Sequence, residues 1–245
     1  MTYTISNLSE RDIAKTIDHS LLKPELDDAA IEAGCLLAAT YDVASVCCRP
    51  ADIARAASLL RATDVKVGST VGFPHGNHTT EVKVAETRRA IADGAAEIDM
   101  VLRIGALKSG RDAEVDADIR AVVDVAHAAG AIVKVIFENA YLTDDEKIRA
   151  CHVTEAAGAD FVKTSTGFAP SGATIADLVL MRANTSPRIG VKAAGGVRTL
   201  DALLEVMNVG VTRIGATATE AIILDFRARK AGLASGAGGS LGGGY

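Results

Sequence analysis

Short runs of β-branched and apolar residues alternate with longer Ala-rich stretches along the whole chain, and that alternation predicts repeated βα units around a parallel sheet. Runs of strand character cover 17–20, 43–47, 65–71, 97–102, 132–137, 160–164, 189–193 and 212–216. Between them, apolar positions recur at helical spacing over 29–39, 51–60, 81–92, 115–129 and 144–157. Thr143 with Glu146 three residues on has the form of a capping box, and Thr174 with Asp177 is a weaker version. A Gly-Ala pair before a strand, at Gly94, Gly130 and Gly158, reads as a helix C-cap turning into the next unit. Eight units in this order predict an α/β fold, a single-domain (β/α)8 TIM barrel over residues 1–230 with a short N-terminal lead-in. An open doubly wound sheet is the alternative, but it would carry Gly-x-Gly-x-x-Gly after its first strand, and the chain has none there. Residues 231–245 form a Gly/Ser/Ala-rich tail ending in Tyr245. It reads either as a solvated tail or as a segment folding over the barrel mouth.

Composition narrows the function classes. With 245 residues, 49% of them hydrophobic, the chain can bury one full core. A formal net charge of -5 and the lack of a dense Lys/Arg block argue against nucleic acid as a partner, so an anionic ligand must meet locally placed donors. The N-terminus lacks the pattern of a signal peptide and no apolar run is long enough to span a bilayer, so no membrane partner and a cytoplasmic location are expected. Cys35, Cys47, Cys48 and Cys151 lack Cys-x-x-Cys spacing and read as reduced thiols, the middle two packed in the core. His75 and His78 stand three apart in a Pro/Gly loop without an obvious third ligand, so no metal is expected; His19, His127 and His152 stand singly and read as structural.

In a barrel the C-terminal strand ends build the site, which directs attention to charges inside apolar strands. Asp99 sits in Glu97-Ile98-Asp99-Met100-Val101, Lys134 and Glu138 flank Val-Ile-Phe, and Lys163 and Lys192 end consecutive strands at matching places. A barrel would bring the two lysines into one pocket, where burial and mutual repulsion are expected to lower their pKa values and make one a nucleophilic amine. Asp99 could then shuttle protons through water. A buried ion network that only braces the barrel would also produce such a pattern, but two lysines and an aspartate at strand ends favour chemistry. Position alone does not say which lysine attacks. The glycine-bearing loops after strands six to eight, around Gly167, Gly195-Gly196-Val197 and Gly215-Ala216-Thr217, expose backbone N–H groups where barrels hold phosphate.

Five segments together resemble the deoxyribose-phosphate aldolase family: Ile17-Asp18-His19-Ser20-Leu21-Leu22-Lys23-Pro24, Val71-Gly72-Phe73-Pro74-His75-Gly76, Glu97-Ile98-Asp99-Met100-Val101, Phe161-Val162-Lys163-Thr164-Ser165-Thr166-Gly167-Phe168 and Val191-Lys192-Ala193-Ala194-Gly195-Gly196-Val197-Arg198. The resemblance implies a cofactor-free class I aldolase that reversibly joins acetaldehyde and D-glyceraldehyde 3-phosphate into 2-deoxy-D-ribose 5-phosphate. It also implies assembly as a homodimer or homotetramer. By the same resemblance Lys163 is the Schiff-base residue, Lys192 the second lysine that lowers the pKa of Lys163, and Asp99 the acid/base partner. Asp18 would orient Lys192, Tyr245 would move protons when the tail closes, and Gly167, Gly195, Gly196, Val197, Gly215 and Thr217 would hold the phosphate. The chain departs from the family where Thr217-Ala218 replaces a pair of serines. Arg49 and Arg103 stand where asparagine is frequent, Asn139 where threonine is, and Phe168 at a place often basic. The two arginines are expected either to replace the lost phosphate donor or to be surface charge.

Overall fold

The computed structural model describes residues 2–233 and 239. A 3-10 turn at Ile5–Asn7 and α1 (Glu10–Ala14) lead into β1 (Ile17–Leu21), α2 (Asp28–Thr40), β2 (Ser45–Cys48), a 3-10 turn at Pro50–Asp52 and α3 (Ile53–Leu60). The chain continues through β3 (Lys66–Val71), α4 (Thr80–Ala92), β4 (Glu97–Val101), α5 (Ile104–Lys108), α6 (Asp112–Ala128) and β5 (Ile132–Ile136). A 3-10 turn at Asn139–Tyr141 precedes α7 (Asp144–Ala156), β6 (Phe161–Lys163), α8 (Ile175–Ala183), β7 (Gly190–Ala194), α9 (Leu200–Asn208), β8 (Arg213–Ala216) and α10 (Thr219–Lys230). Every neighbouring pair of strands is parallel, and β1 pairs with both β2 and β8, which closes the barrel and excludes the open sheet.

Side chains alternate across the strand, so each strand has one set facing the helices and one facing the axis. The outer set is apolar: Ile98, Met100, Val133, Val135, Val162, Val191 and Ile214 are buried in one continuous core. They pack beneath Val115, Ile119 and Val122 of α6, Leu203 and Val206 of α9, and Ile222 and Phe226 of α10. The axial set is largely charged or small, including Asp18, Ser45, Glu97, Asp99, Lys134, Lys163, Lys192, Arg213 and Gly215. This reverses the branched aliphatic filling usual in such barrels.

The local signals hold where they rest on hydrogen-bonding chemistry. Thr143 accepts from Glu146 N while the Glu146 side chain accepts from Thr143 N, a complete capping box at α7. Thr174 caps α8 through Asp177 N alone. Gly94, Gly130 and Gly158 have φ of 106°, 76° and 89°, the left-handed turn that ends a helix. The strand expected over 43–47 begins two positions later, because Val43 N still bonds back to Ala38 O of α2. No helix among the described residues is long and apolar enough to cross a membrane.

Candidate active site

Strand register assembles the cluster. Lys163 of β6 is the direct partner of Lys192 of β7, Lys192 is the partner of Arg213 on β8, and Asp99 of β4 is the partner of Lys134 on β5. Asp99 Oδ2 accepts from Lys163 Nζ at 2.7 Å and from Lys192 Nζ at 2.8 Å. Lys134 Nζ lies 3.0 Å from Asp99 Oδ1 in ion-pair contact, but off hydrogen-bonding geometry, so Oδ1 accepts no hydrogen bond from the described residues. Asp18 accepts from Lys192, from Lys134 at 2.9 Å, from Arg213 and from Ser45 Oγ at 2.7 Å. Glu97 completes the lower layer, binding Lys134 at 2.6 Å and Arg213 at 2.7 Å.

Four cations therefore face three carboxylates, with Lys163 only 3% exposed and Lys192 1%, while Arg213 is part-buried. A buried charge without a partner is costly, so this arrangement carries one positive charge more than it can neutralise. Loss of a single proton from one lysine would balance it. Burial raises the cost of ionising Asp18 and Asp99, yet the surrounding lysines outweigh it and both carboxyls lie well below the usual range. For Lys163, burial works to lower the pKa, but contact with Asp99 together with the neighbouring Cys47 works against it and the value stands above that of an ordinary lysine. The lowering expected from desolvation and Lys192 is thus opposed in the resting site by a carboxylate at 2.7 Å, and the net direction is upward. Cys47 Sγ lies 3.8 Å from Asp99 Oδ2, and burial pushes its thiol up to about 11, so it is protonated at neutral pH.

Beside the lysines, the loops after β7 and β8 enclose a cavity of about 220 Å³ lined by Lys23, Gly195, Gly196, Val197, Arg198, Gly215, Ala216 and Thr217. Five of the six residues expected around phosphate are thereby brought together. Gly167, in the loop after β6, is buried with φ 92° but does not line the cavity. Gly215 joins the two regions, because a Cβ placed there would lie 3.8 Å from Lys192 Cε. The loop after β6 braces the cradle, with Ala173 N donating to Ala194 O and Gly195 O at 3.0 Å each. Gly172 and Gly195 meet backbone to backbone there; a Cβ on Gly195 would come 2.8 Å from Gly172 Cα. Thr199 caps α9 and also donates to Gly239 O at 2.6 Å, which holds that part of the tail against the cradle's edge. Tyr245 lies outside the described residues.

Several participants were not assigned from sequence. Lys134 is visible inside its strand, but its contacts with Asp18 and Glu97 require β1, β4 and β5 together. Glu138 adopts a left-handed backbone, φ 59°, and its buried carboxyl accepts from Thr166 N at 3.2 Å and from the Thr166 hydroxyl; burial raises its pKa. Arg49 is not loose surface charge, being bonded to three carbonyls of the loop after β1. Arg103 pairs with Glu114 at 3.5 Å. His78 lies 3.4 Å from Glu86, and the described residues hold no cluster of three or more His, Cys, Asp or Glu side chains able to bind a metal.

Residues 12–238 match the model of the DeoC/LacD family aldolases. Two relatives named deoxyribose-phosphate aldolase are each 52% identical to the chain. The one from Geobacillus sp. strain WCH70 aligns with 87% of this chain and 96% of its own length. That from Alkaliphilus oremlandii covers 90% and 99%. A solved deoxyribose phosphate aldolase from Aeropyrum pernix, described as tetrameric, superposes with a TM-score of 0.85 at 28% identity over 92% of this chain and 95% of that one.

Proposed function

Since the chain belongs to the DeoC/LacD aldolase family, we propose that it cleaves 2-deoxy-D-ribose 5-phosphate reversibly into acetaldehyde and D-glyceraldehyde 3-phosphate through an imine on Lys163. The observation that carries this reading is the pair of buried lysines sharing one Asp99 oxygen next to a glycine-lined cradle. The nucleophile of the pair is assigned to Lys163 by its match to the family motif, and this is supported by its one carboxylate contact among the described residues, Asp99, where Lys192 is also bound by Asp18. Lys163 passes a proton into the Asp99–Lys192 network and its free amine adds to C1 of the open-chain sugar. The carbinolamine hydroxyl leaves as water with a proton supplied by the Lys192 ammonium, giving the iminium.

The C3 hydroxyl then loses its proton through water held by Asp99, and the C2–C3 bond breaks. Its electron pair moves onto C2 to form the enamine while C3 departs as the aldehyde of glyceraldehyde 3-phosphate. Protonation of C2 and addition of water release acetaldehyde and restore Lys163. Backbone N–H groups of Gly195, Gly196, Val197 and Gly215 with the Thr217 hydroxyl hold the phosphate, while Gly167 shapes the loop above it. By the family resemblance Tyr245 is the proposed proton carrier; it lies outside the described residues. A homo-oligomer is the proposed assembly, supported by the tetrameric relative and tested by light scattering.

Treating the protein with acetaldehyde and borohydride and mapping the adduct by mass spectrometry tests the central step. An unmodified Lys163 in the folded protein would remove it. Ala218, which lacks the hydroxyl of the family's serine pair, favours one second reading: the same chemistry on an unphosphorylated acceptor. Equal kcat/KM for deoxyribose and its 5-phosphate would select that alternative.

A further inference from the structure

The cradle's backbone donors are fixed, but one of its charges sits on a flexible stem. Lys23 lines the cavity from the loop after β1, with half of its side chain exposed and Glu25 at 4.0 Å as a loose carboxylate contact. A lysine ammonium is a point charge on four rotatable carbons, so its usefulness to an anion depends on where its backbone is held. That backbone is held by Arg49. Its Nη1 donates to Lys23 O at 3.1 Å and to Pro24 O at 2.9 Å, and its Nη2 donates to Leu26 O at 2.9 Å. Its Nε donates to Asp52 Oδ2 at 2.6 Å, which fixes the guanidinium to the turn before α3. The planar fork meets four acceptors at once, three carbonyls of one turn and the Asp52 carboxylate, whereas an ammonium has three donors and a side-chain amide two.

We propose that Lys23 is a phosphate-recognising cation of this cradle beside Arg198 and that Arg49 is the positioning residue that aims it, together compensating for the hydroxyl absent at Ala218. This rests on the phosphate reading of the cavity, and it adds a specificity device formed by the loops after β1 and β2. Arg49 acts only through Lys23, so its effect follows the substrate's phosphate and vanishes when Lys23 is gone.

The test measures inorganic phosphate affinity by calorimetry, independently of turnover, for Lys23→Ala, Arg49→Lys, Arg49→Gln and the Lys23→Ala/Arg49→Lys double variant, each below its unfolding temperature. Expected are losses of about tenfold for Lys23→Ala and about three- to tenfold for each Arg49 variant, with no further loss in the double variant. KM for deoxyribose 5-phosphate should rise in parallel, while kcat, and kcat/KM for unphosphorylated deoxyribose, change less than about twofold. If Lys23→Ala binds phosphate as the parent does, the proposed cation is wrong. If it weakens binding but both Arg49 variants do not, or the losses add in the double variant, the aiming role is wrong. These outcomes are separate from the aldolase reading, which stands or falls on the Lys163 adduct.

Discussion

Replacing Asp99 with asparagine keeps the shape of the site and removes one charge. The lost carboxylate touches Lys163 at 2.7 Å, Lys192 at 2.8 Å and Lys134 at 3.0 Å. At an effective dielectric constant of about 20, each such contact corresponds to about 6 kcal/mol of direct attraction, before desolvation is set against it. Four cations would then face two carboxylates, an excess of two positive charges instead of one, which favours proton loss from the least compensated lysine. Lys192 retains Asp18, and Lys134 retains Asp18 and Glu97, but Lys163 retains no carboxylate contact among the described residues. Its pKa therefore falls, and the pH at which half of Lys163 is trapped by acetaldehyde and borohydride moves down. Trapping at neutral pH should rise while turnover falls by about 10²- to 10⁴-fold, because proton transfer loses its relay. Disruption of the buried pairs should cost up to about 3–5 kcal/mol in thermal or denaturant unfolding, with deprotonation offsetting part of it. A trapping midpoint that stays put or moves up would refute the claim that Asp99 keeps Lys163 charged.

Lys163→Leu should abolish both adduct and turnover, and EDTA should leave the parent's activity unchanged, as read in a coupled assay of aldehyde release. Gly172→Ala places a Cβ against the Gly195 carbonyl; it should raise KM for the phosphorylated sugar several-fold and cost about 1–3 kcal/mol in unfolding. Ala218→Ser restores a hydroxyl at the start of α10 and should lower that KM by about two- to tenfold, the worth of one neutral hydrogen bond. The depressed carboxyls of Asp18 and Asp99 contribute stability that is present above the unfolded carboxylate pKa of about 3.9 and lost as pH falls through their folded values. Melting temperature should therefore drop steeply below about pH 4, and less steeply in Asp99→Asn; parallel curves would count against this assignment.

How much was legible in the chain depends on how far apart the deciding residues lie. Barrel order, the cap at Thr143 and the strand-end placement of Lys163 and Lys192 follow from patterns within a few residues, because periodicity and capping are local. The protonation of Lys163 is not local. Its apolar neighbours Phe161 and Val162 predict desolvation alone, whereas the deciding contact is with Asp99, 64 positions away. Arg49 and Lys23 show the same limit, since their meeting depends on two loops becoming neighbours when β1 pairs with β2. Lys134 and Glu138 stand out in their strand, but only the closed barrel shows that one balances Asp18 and Glu97 while the other holds Thr166.

The axial charges are divided by sign along the chain. Asp18, Glu97 and Asp99 all belong to β1–β4, and Lys134, Lys163, Lys192 and Arg213 all belong to β5–β8. Each half taken alone is an uncompensated polyelectrolyte, one anionic and one cationic, whose inner face would repel itself as soon as it excluded water. The halves are counterions to one another. Closure of the barrel is thus a neutralisation reaction as well as a packing event, and fragments cut between α6 and β5 should associate across that seam with an affinity that weakens as salt is added.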